Sequence, residues 1–322
     1  MNFIRQFIGK LLLVCILLSP LPVSAAIAPI DDSEAGQRWL DVSYAQISPK
    51  QKLDIYLPKE GQGPFPVIVG FHGKNGDKGT MELNGQMKGL ARGYAVAAVN
   101  YREGNEAKFP TNIMDAKAAV RFIKEHAAEY HLDKSRIIAW GDSMGGRVVS
   151  FLGLTSGHPE LEDLSLGCAG ENSRVNAVVA WFPALDDVRM DADVEALGFK
   201  PALPRNAAAY GNEMYGAPVQ DIKELVALAN PANYVGSGAV PFIIMHGTDD
   251  NVCPITQSRE FADKLSKAIG KYNVRFVPVK GAGHHVTDML GDKQIDMVFA
   301  FLQNTAKLLR GGTQNAKKNE TL

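Results

Sequence analysis

The chain has 322 residues, 46% of them hydrophobic and 21% charged, enough apolar material for one large domain with a buried core. Its 34 basic and 35 acidic side chains leave a formal net charge of -1. That balance excludes the strongly basic face expected of a nucleic-acid-binding protein.

Residues 1–26 begin with Arg5 and Lys10 and no acid, run apolar from Leu11 to Leu18, and end on the small residues Ser24, Ala25 and Ala26. A charged start, an apolar stretch and a small-residue cleavage site form the pattern of a secretory signal peptide, and the apolar run is short for a membrane span. An uncleaved anchor is the alternative. The expectation is a secreted or periplasmic protein with no membrane attachment once the leader is cut. Two cysteines then remain, Cys168 and Cys253. An even count in an oxidising compartment permits one disulfide, with two free thiols as the other reading. Neither lies in a Cys-x-x-Cys pair, so a structural zinc is not indicated.

Beyond the leader, residues 39–44 and 53–57 alternate apolar and polar side chains around Ser48-Pro49, which predicts an antiparallel hairpin solvated on one face. Six later runs are mostly continuous in apolar character: 66–71, 94–100, 136–140, 176–182, 241–245 and 274–279. Such runs suit strands covered on both faces, as in a parallel sheet between helices. Between them lie helical patterns. Ile113, Ala116, Val120 and Ile123 recur at helical spacing within 112–130; Phe261, Leu265 and Ile269 mark one face of 256–269; 293–309 reads alike. Strands alternating with helices predict an α/β fold, a mostly parallel central sheet flanked by helices. Roughly sixty residues separate the strand near Phe182 from the one at Pro241, long for an ordinary connection. The region of about 183–240 is therefore expected to form a small cap over the edge where open α/β sheets bind ligands, with a long surface excursion as the alternative. The α/β domain is placed at 27–309 and a flexible tail at 310–322. Trp181, Phe182, Tyr210, Met214 and Tyr215 are candidates to line a pocket, although such residues more often belong to a core.

The string Gly141-Asp142-Ser143-Met144-Gly145-Gly146 follows an apolar strand and leads into a helix-like run. A serine held in G-x-S-x-G between strand and helix sits in a tight, strained turn, where side chains at Gly141 and Gly145 would collide. The hydroxyl is thrust into the open beside the N–H groups of the new helix, where a developing oxyanion meets partial positive charge. A serine hydroxyl needs a base, and the base an orienting acid. Later strands supply both: one runs into His246-Gly-Thr-Asp249-Asp250-Asn-Val-Cys253-Pro254, the other into Gly281-Ala-Gly283-His284-His285. Spacing alone does not choose between Asp249 and Asp250, or between His284 and His285. His246 reads as a loop-fixing histidine rather than a metal ligand.

With these motifs the chain resembles the α/β-hydrolase superfamily, and within it the secreted carboxylesterases similar to bifunctional feruloyl and acetyl-xylan esterases, over about 39–309. The resemblance rests on H-G-x-x-D-x-x-V-P and G-x-G-H, with Cys253 standing where an apolar residue is usual. It implies Ser143 as nucleophile, Asp250 as acid and His284 as base. Related esterases carry H-G-G-G after an early strand. Here the string is His72-Gly73-Lys74-Asn75, so one oxyanion donor falls on the Met144 N–H and the second on that of Gly73 or Lys74. The implied activity is hydrolysis of short acyl or aromatic esters, small or carbohydrate-linked, acetyl and feruloyl esters of plant polysaccharide among them. No metal or organic cofactor is called for. A prolyl-oligopeptidase-like serine peptidase and a non-catalytic binding protein on the same fold are the rival readings.

Overall fold

A computed structural model describes residues 28–319, with side chains through Lys307; the predicted leader, 1–26, lies outside the described residues. The apolar runs become strands β1 (Ala35–Ser43), β2 (Lys52–Pro58), β3 (Phe65–Phe71), β4 (Ala95–Val99), β5 (Leu132–Asp142), β6 (Ala177–Trp181), β7 (Phe242–Gly247) and β8 (Val274–Val279). They join in one sheet of order β1-β2-β4-β3-β5-β6-β7-β8. β1 with β2 and β2 with β4 pair antiparallel, and from β4 to β8 every pairing is parallel. This is the α/β-hydrolase fold.

The strand order reverses at β3, with β4 on one side and β5 on the other. Open α/β sheets bind ligands at such a switch point, outside the carboxyl ends of the strands. Here those ends are Phe71, followed by the His72–Asn75 loop, and Asp142, followed by Ser143.

The helices are α1 (Asn84–Met87), α2 (Thr111–Glu125), α3 (Met144–Leu154), α4 (Met190–Ala196), α5 (Ala208–Tyr215), α6 (Lys223–Leu228), α7 (Ile255–Ile269) and α8 (Asp292–Asn319). Alternate strand residues feed two cores, because successive side chains on a strand point to opposite faces. Val67, Val69, Ile137, Ala139 and Ile244 pack with α2, α3 and α7 through Ile113, Val148 and Phe261. Ile68, Ile138, Trp140, Val179 and Met245 pack with Met87 of α1 and with Ile295, Val298 and Phe299 of α8.

Three expectations change in detail. β2 is not solvated on one face: it lies inside the sheet, and Leu53, Ile55 and Tyr56 are buried. β1 takes the edge and carries the exposure. β8, expected to be covered on both faces, is the opposite edge strand, with every side chain at least partly exposed. The helical backbone of α8 runs on to Asn319, through most of the segment 310–322 read as a flexible tail.

Residues 183–240 hold α4, α5 and α6. Their apolar cluster, Tyr210, Met214, Tyr215, Val219 and Val226, closes on Met144, the first residue of α3. A buried ion cluster fixes the same contact. Asp187 receives Arg147 of α3 at 2.8 Å and Arg205 at 3.1 Å, and the hydroxyls of Tyr210 and Tyr215 donate to it at 2.9 and 2.6 Å. Burial pushes the Asp187 carboxyl up, but Arg147 and Arg205 outweigh it and hold the group at about 2. Removing one member of a buried charge cluster leaves the others uncompensated. Asp187→Ala is expected to lower the free energy of unfolding by about 3–5 kcal/mol, measured as a fall in the urea midpoint with unchanged slope.

Candidate active site

At the end of β5 the chain turns through Ser143 at φ 52° and ψ −113° and enters α3 at once. A non-glycine residue in this region is strained and is held there by its surroundings. The Ser143 N–H donates to Trp181 O at 3.0 Å, and Ser143 O accepts from Arg147 N at 3.1 Å and Ala184 N at 3.0 Å. The flanking glycines are required by contact. A Cβ on Gly141 would run into the Gly145 carbonyl, and one on Gly145 into those of Phe71 and His72. The turn is thus wedged against the end of β3.

The loops after β7 and β8 are sewn together. Thr248 N–H donates to Val279 O at 3.0 Å, Asp249 N–H to Ala282 O at 2.9 Å, and Gly281 N–H to Thr248 Oγ1 at 2.9 Å. This junction presents Asp250 and His284 to Ser143. Asp250 Oδ2 accepts from His284 Nδ1 at 2.7 Å, and His284 Nε2 lies 2.8 Å from Ser143 Oγ. With Nδ1–H given to the carboxylate, Nε2 holds the lone pair that faces the serine hydroxyl. That arrangement can draw the proton from Oγ as Oγ attacks a carbonyl. The Phe182 ring packs against the imidazole at 4.7 Å between centroids.

Asp250 is buried and fully committed. Its Oδ1 accepts from the N–H groups of Val252 and Cys253, both at 2.8 Å, and His246 Nε2 stands 3.3 Å from Oδ2. Burial raises the carboxyl, yet the bonds to His246 and His284 more than reverse it and hold it well below the usual carboxylate range. His246 is itself locked, Nε2 donating to Cys253 O at 2.9 Å and Nδ1 accepting from Ser258 Oγ at 2.7 Å. It fixes the loop, as its position in the sequence suggested. Asp249 faces solvent and accepts from Thr248 Oγ1, and His285 is exposed at the cavity wall. Of the two choices that spacing left in each loop, the structure brings Asp250 and His284 to Ser143, and not Asp249 or His285. Among the described residues no group of His, Cys, Asp or Glu is arranged to hold a metal ion.

Ser143 opens into a cavity of about 440 Å³, within the range typical of small-ligand sites. Its lining is mixed, apolar from Phe182, Leu203, Val252 and Val286 and polar from Lys74, Asn75, Glu82 and Asp142. A larger cavity, of about 620 Å³, lies elsewhere, between the start of β5 and α8. It contains none of these groups, and its charged side chains Asp133 and Arg136 are paired with each other.

The family model BD-FAE matches residues 53–265, about two-thirds of the sequence. The chain belongs to the BD-FAE family. The BD-FAE domain is similar in structure to a truncated carbohydrate esterase from gut microbiota, at 28% identity and a TM-score of 0.73, over 87% of this chain and 99% of that one. It is similar also to a bifunctional GH43-CE protein of Bacteroides eggerthii, at 32% identity and a TM-score of 0.72, over 84% of this chain and 35% of that one. Among curated proteins it is 28% identical to the probable carboxylic ester hydrolase LipM of Mycobacterium tuberculosis, over 78% of this chain and 56% of LipM. The chain thus spans little more than half the length of that relative.

Within this BD-FAE domain the His72–Asn75 loop is heavily braced. Gly73 N–H donates to Glu82 Oε2 at 3.3 Å, and Asn75 N–H to Glu103 Oε1 at 3.0 Å. Burial pushes the Glu103 carboxyl up to about 7. The Lys74 and Met144 N–H groups have no acceptor among the described residues. The Lys74 side chain pairs with Glu213 of α5 at 2.7 Å, so the basic group at the pocket mouth is neutralised from the inserted segment.

Several of these partners were not visible in the sequence. Glu82, Asp142 and Glu213 carried no motif signal beyond Asp142's place beside the serine. The meeting of Arg147, Asp187 and Arg205 has no local signature. Of the five pocket candidates, Phe182 lines the cavity, whereas Trp181, Tyr210, Met214 and Tyr215 are core. Cys168 and Cys253 are free thiols, and Cys253 is buried beside Arg205, its Sγ 3.8 Å from Nη2.

Because the folded carboxyl of Asp250 is depressed, its contribution to stability is present above the unfolded value of about 3.9 and is lost as pH falls below it. Asp250→Asn should flatten the acid side of the unfolding free energy against pH relative to wild type, measured by urea denaturation at a series of pH values.

Proposed function

We propose that this protein is a serine carboxylesterase that works through an acyl-enzyme, with Ser143 as nucleophile, His284 as general base and acid, and Asp250 as the group that orients and stabilises the imidazole. The observation that carries the reading is the unbroken line from Asp250 through His284 to Ser143 at the floor of the cavity. In the first half-reaction His284 Nε2 takes the Ser143 proton, Oγ attacks the ester carbonyl, and the imidazolium then protonates the departing alcohol. A water molecule repeats the sequence and frees the acid. The oxyanion is received by the Met144 N–H at the start of α3 and by the Lys74 N–H. Lys74 is preferred over Gly73 because the Gly73 N–H is already given to Glu82.

Short acyl or aromatic esters suit a cavity of about 440 Å³. Carbohydrate-linked acetyl or feruloyl esters are the favoured class. A mixed apolar and polar lining supports this, as do the structural neighbours described as a carbohydrate esterase and a GH43-CE protein. The signal-like pattern of 1–26 supports action outside the cytoplasm.

The test is hydrolysis of p-nitrophenyl esters from acetyl to octanoyl, then of acetylated and feruloylated xylan, by wild type and Ser143→Ala. Turnover is expected to peak on the short chains and to fall by about four to six orders of magnitude in the variant. Faster cleavage of a peptidyl-proline amide than of the aryl acetate would instead support the peptidase reading. A folded protein that cleaves neither and does not label with a fluorophosphonate would support the binding-protein reading.

A further inference from the structure

Asp142 immediately precedes the nucleophile, lines the cavity, and is almost wholly buried. Its carboxyl has little of the support given to Asp250, since only its own backbone N–H bears on it. Oδ1 has no hydrogen-bond partner, and no side chain donates to either oxygen among the described residues. A buried carboxylate with no side-chain donor and no counter-charge is costly, so such a group is carried as the neutral acid. Its surroundings agree. A Cβ placed on Gly73 would lie 3.0 Å from Asp142 Oδ2 and 3.5 Å from the Ser143 Cβ, so this carboxyl and the nucleophile both press against Gly73. From the other side Glu82 Oε2 accepts the Gly73 N–H at 3.3 Å. Two carboxyls therefore converge on one glycine, the residue before the N–H group assigned to the oxyanion.

The other polar groups nearby supply no positive charge. Below the loop, Tyr101 and His72 stack at 4.6 Å, the Tyr101 hydroxyl donates to His72 O at 2.7 Å, and burial pushes His72 down to about 4. The Lys74 ammonium is turned away to Glu213, and His284 is engaged with Ser143 and Asp250. With no positive charge to offset it, the Glu82 charge opposes ionisation of the Asp142 carboxyl near neutrality.

We propose that Asp142 and Glu82 are positioning residues that share a single negative charge, Glu82 carrying it and Asp142 remaining the neutral acid, and that together they set the Gly73–Lys74 peptide for the oxyanion. This rests on the esterase reading above. Glu82 holds the Gly73 N–H and leaves that of Lys74 facing the substrate. Neutral Asp142 fills the space under Gly73 without placing a negative charge beside the oxygen that becomes negative in the transition state. Burial first, and the Glu82 charge second, push the Asp142 carboxyl well above its ordinary range. Ionisation of Asp142 at alkaline pH then opposes oxyanion formation and lowers the rate.

The experiment is the pH dependence of kcat/KM on p-nitrophenyl acetate for wild type, Asp142→Asn and Glu82→Gln, corrected for spontaneous hydrolysis. It is paired with infrared spectra that report the carbonyl stretch of a protonated carboxylic acid. Wild type should lose activity on the alkaline side, and Asp142→Asn, which cannot ionise, should lack that limb. Glu82→Gln keeps an acceptor for Gly73 but removes the charge, so its limb should move to lower pH by about one unit, the scale set by one neighbouring charge. The infrared band should be present in wild type at neutral pH and reduced in Asp142→Asn. In Glu82→Gln it should vanish at lower pH than in wild type. A wild-type limb retained in Asp142→Asn, or no band in wild type at neutral pH, overturns the proposal. Glu103, at about 7, contributes to the band at neutral pH, so if Asp142→Asn does not fold, the Glu82→Gln shift decides the matter, read in the rate limb and in the part of the band that persists above the Glu103 range. Absence of any ester hydrolysis with the band still present would overturn the esterase reading and leave the shared charge standing.

Discussion

The backbones of β3 and α3 touch with no side chain between them, and the site depends on that contact. Only glycine at 141 and 145 lets the carbonyls of Phe71 and His72 approach so closely. The approach drives Ser143 into its strained conformation and sets the loop after β3 beside its hydroxyl. One steric constraint therefore determines both where the hydroxyl stands and where the backbone donors proposed for the oxyanion can be. The hydrogen bonds from Ser143 N–H to Trp181 O and from Ala184 N–H to Ser143 O complete it, anchoring the turn to the end of β6. The strain at Ser143 is thus opposed by bonds on three sides, which is how such conformations persist at functional sites.

Two aspartates within this small volume show how donors decide charge. Asp250 is buried among N–H groups and imidazoles, and its carboxyl lies well below the ordinary range. Asp142 is buried with the Glu82 carboxyl as its charged neighbour, and lies well above it. Burial acts the same way on both. What differs is the supply of hydrogen atoms, two backbone N–H groups and two histidines against Asp142's own backbone N–H and no side chain. Pairs of acids whose environments push their ionisation apart are a recurrent means of running acid and base chemistry at one pH.

Much of this was legible in the primary structure, for physical reasons that also mark where legibility stops. Continuous apolar runs announced strands covered on both faces, and the glycines around Ser143 announced a turn too tight for side chains. Sheet order is a non-local property. Hydropathy could not tell that β2 would be interior, nor that β8 would be an edge, because both carry similar apolar content. The doublets Asp249-Asp250 and His284-His285 were ambiguous for a like reason: one residue's shift in a loop exchanges an inward side chain for an outward one, and only the hydrogen bonds joining the two loops select which. Tyr210, Met214 and Tyr215 had the composition of a pocket wall and proved to be the core of the inserted segment. The partnership of Glu82 with Asp142 spans sixty positions, and the convergence of Arg147 and Arg205 on Asp187 joins three separate stretches. No periodicity or motif encodes such meetings.

The burial of Arg147, Asp187 and Arg205 bears on how substrate reaches the serine. Lifting the 183–240 segment away from α3 would strip partners from charges that have no access to water, an opening whose free-energy cost approaches that of unfolding the region. The segment is therefore fixed to α3 by charge as well as by apolar packing, and the cavity beside Ser143 has in Leu203 a wall that belongs to this anchored part of the chain.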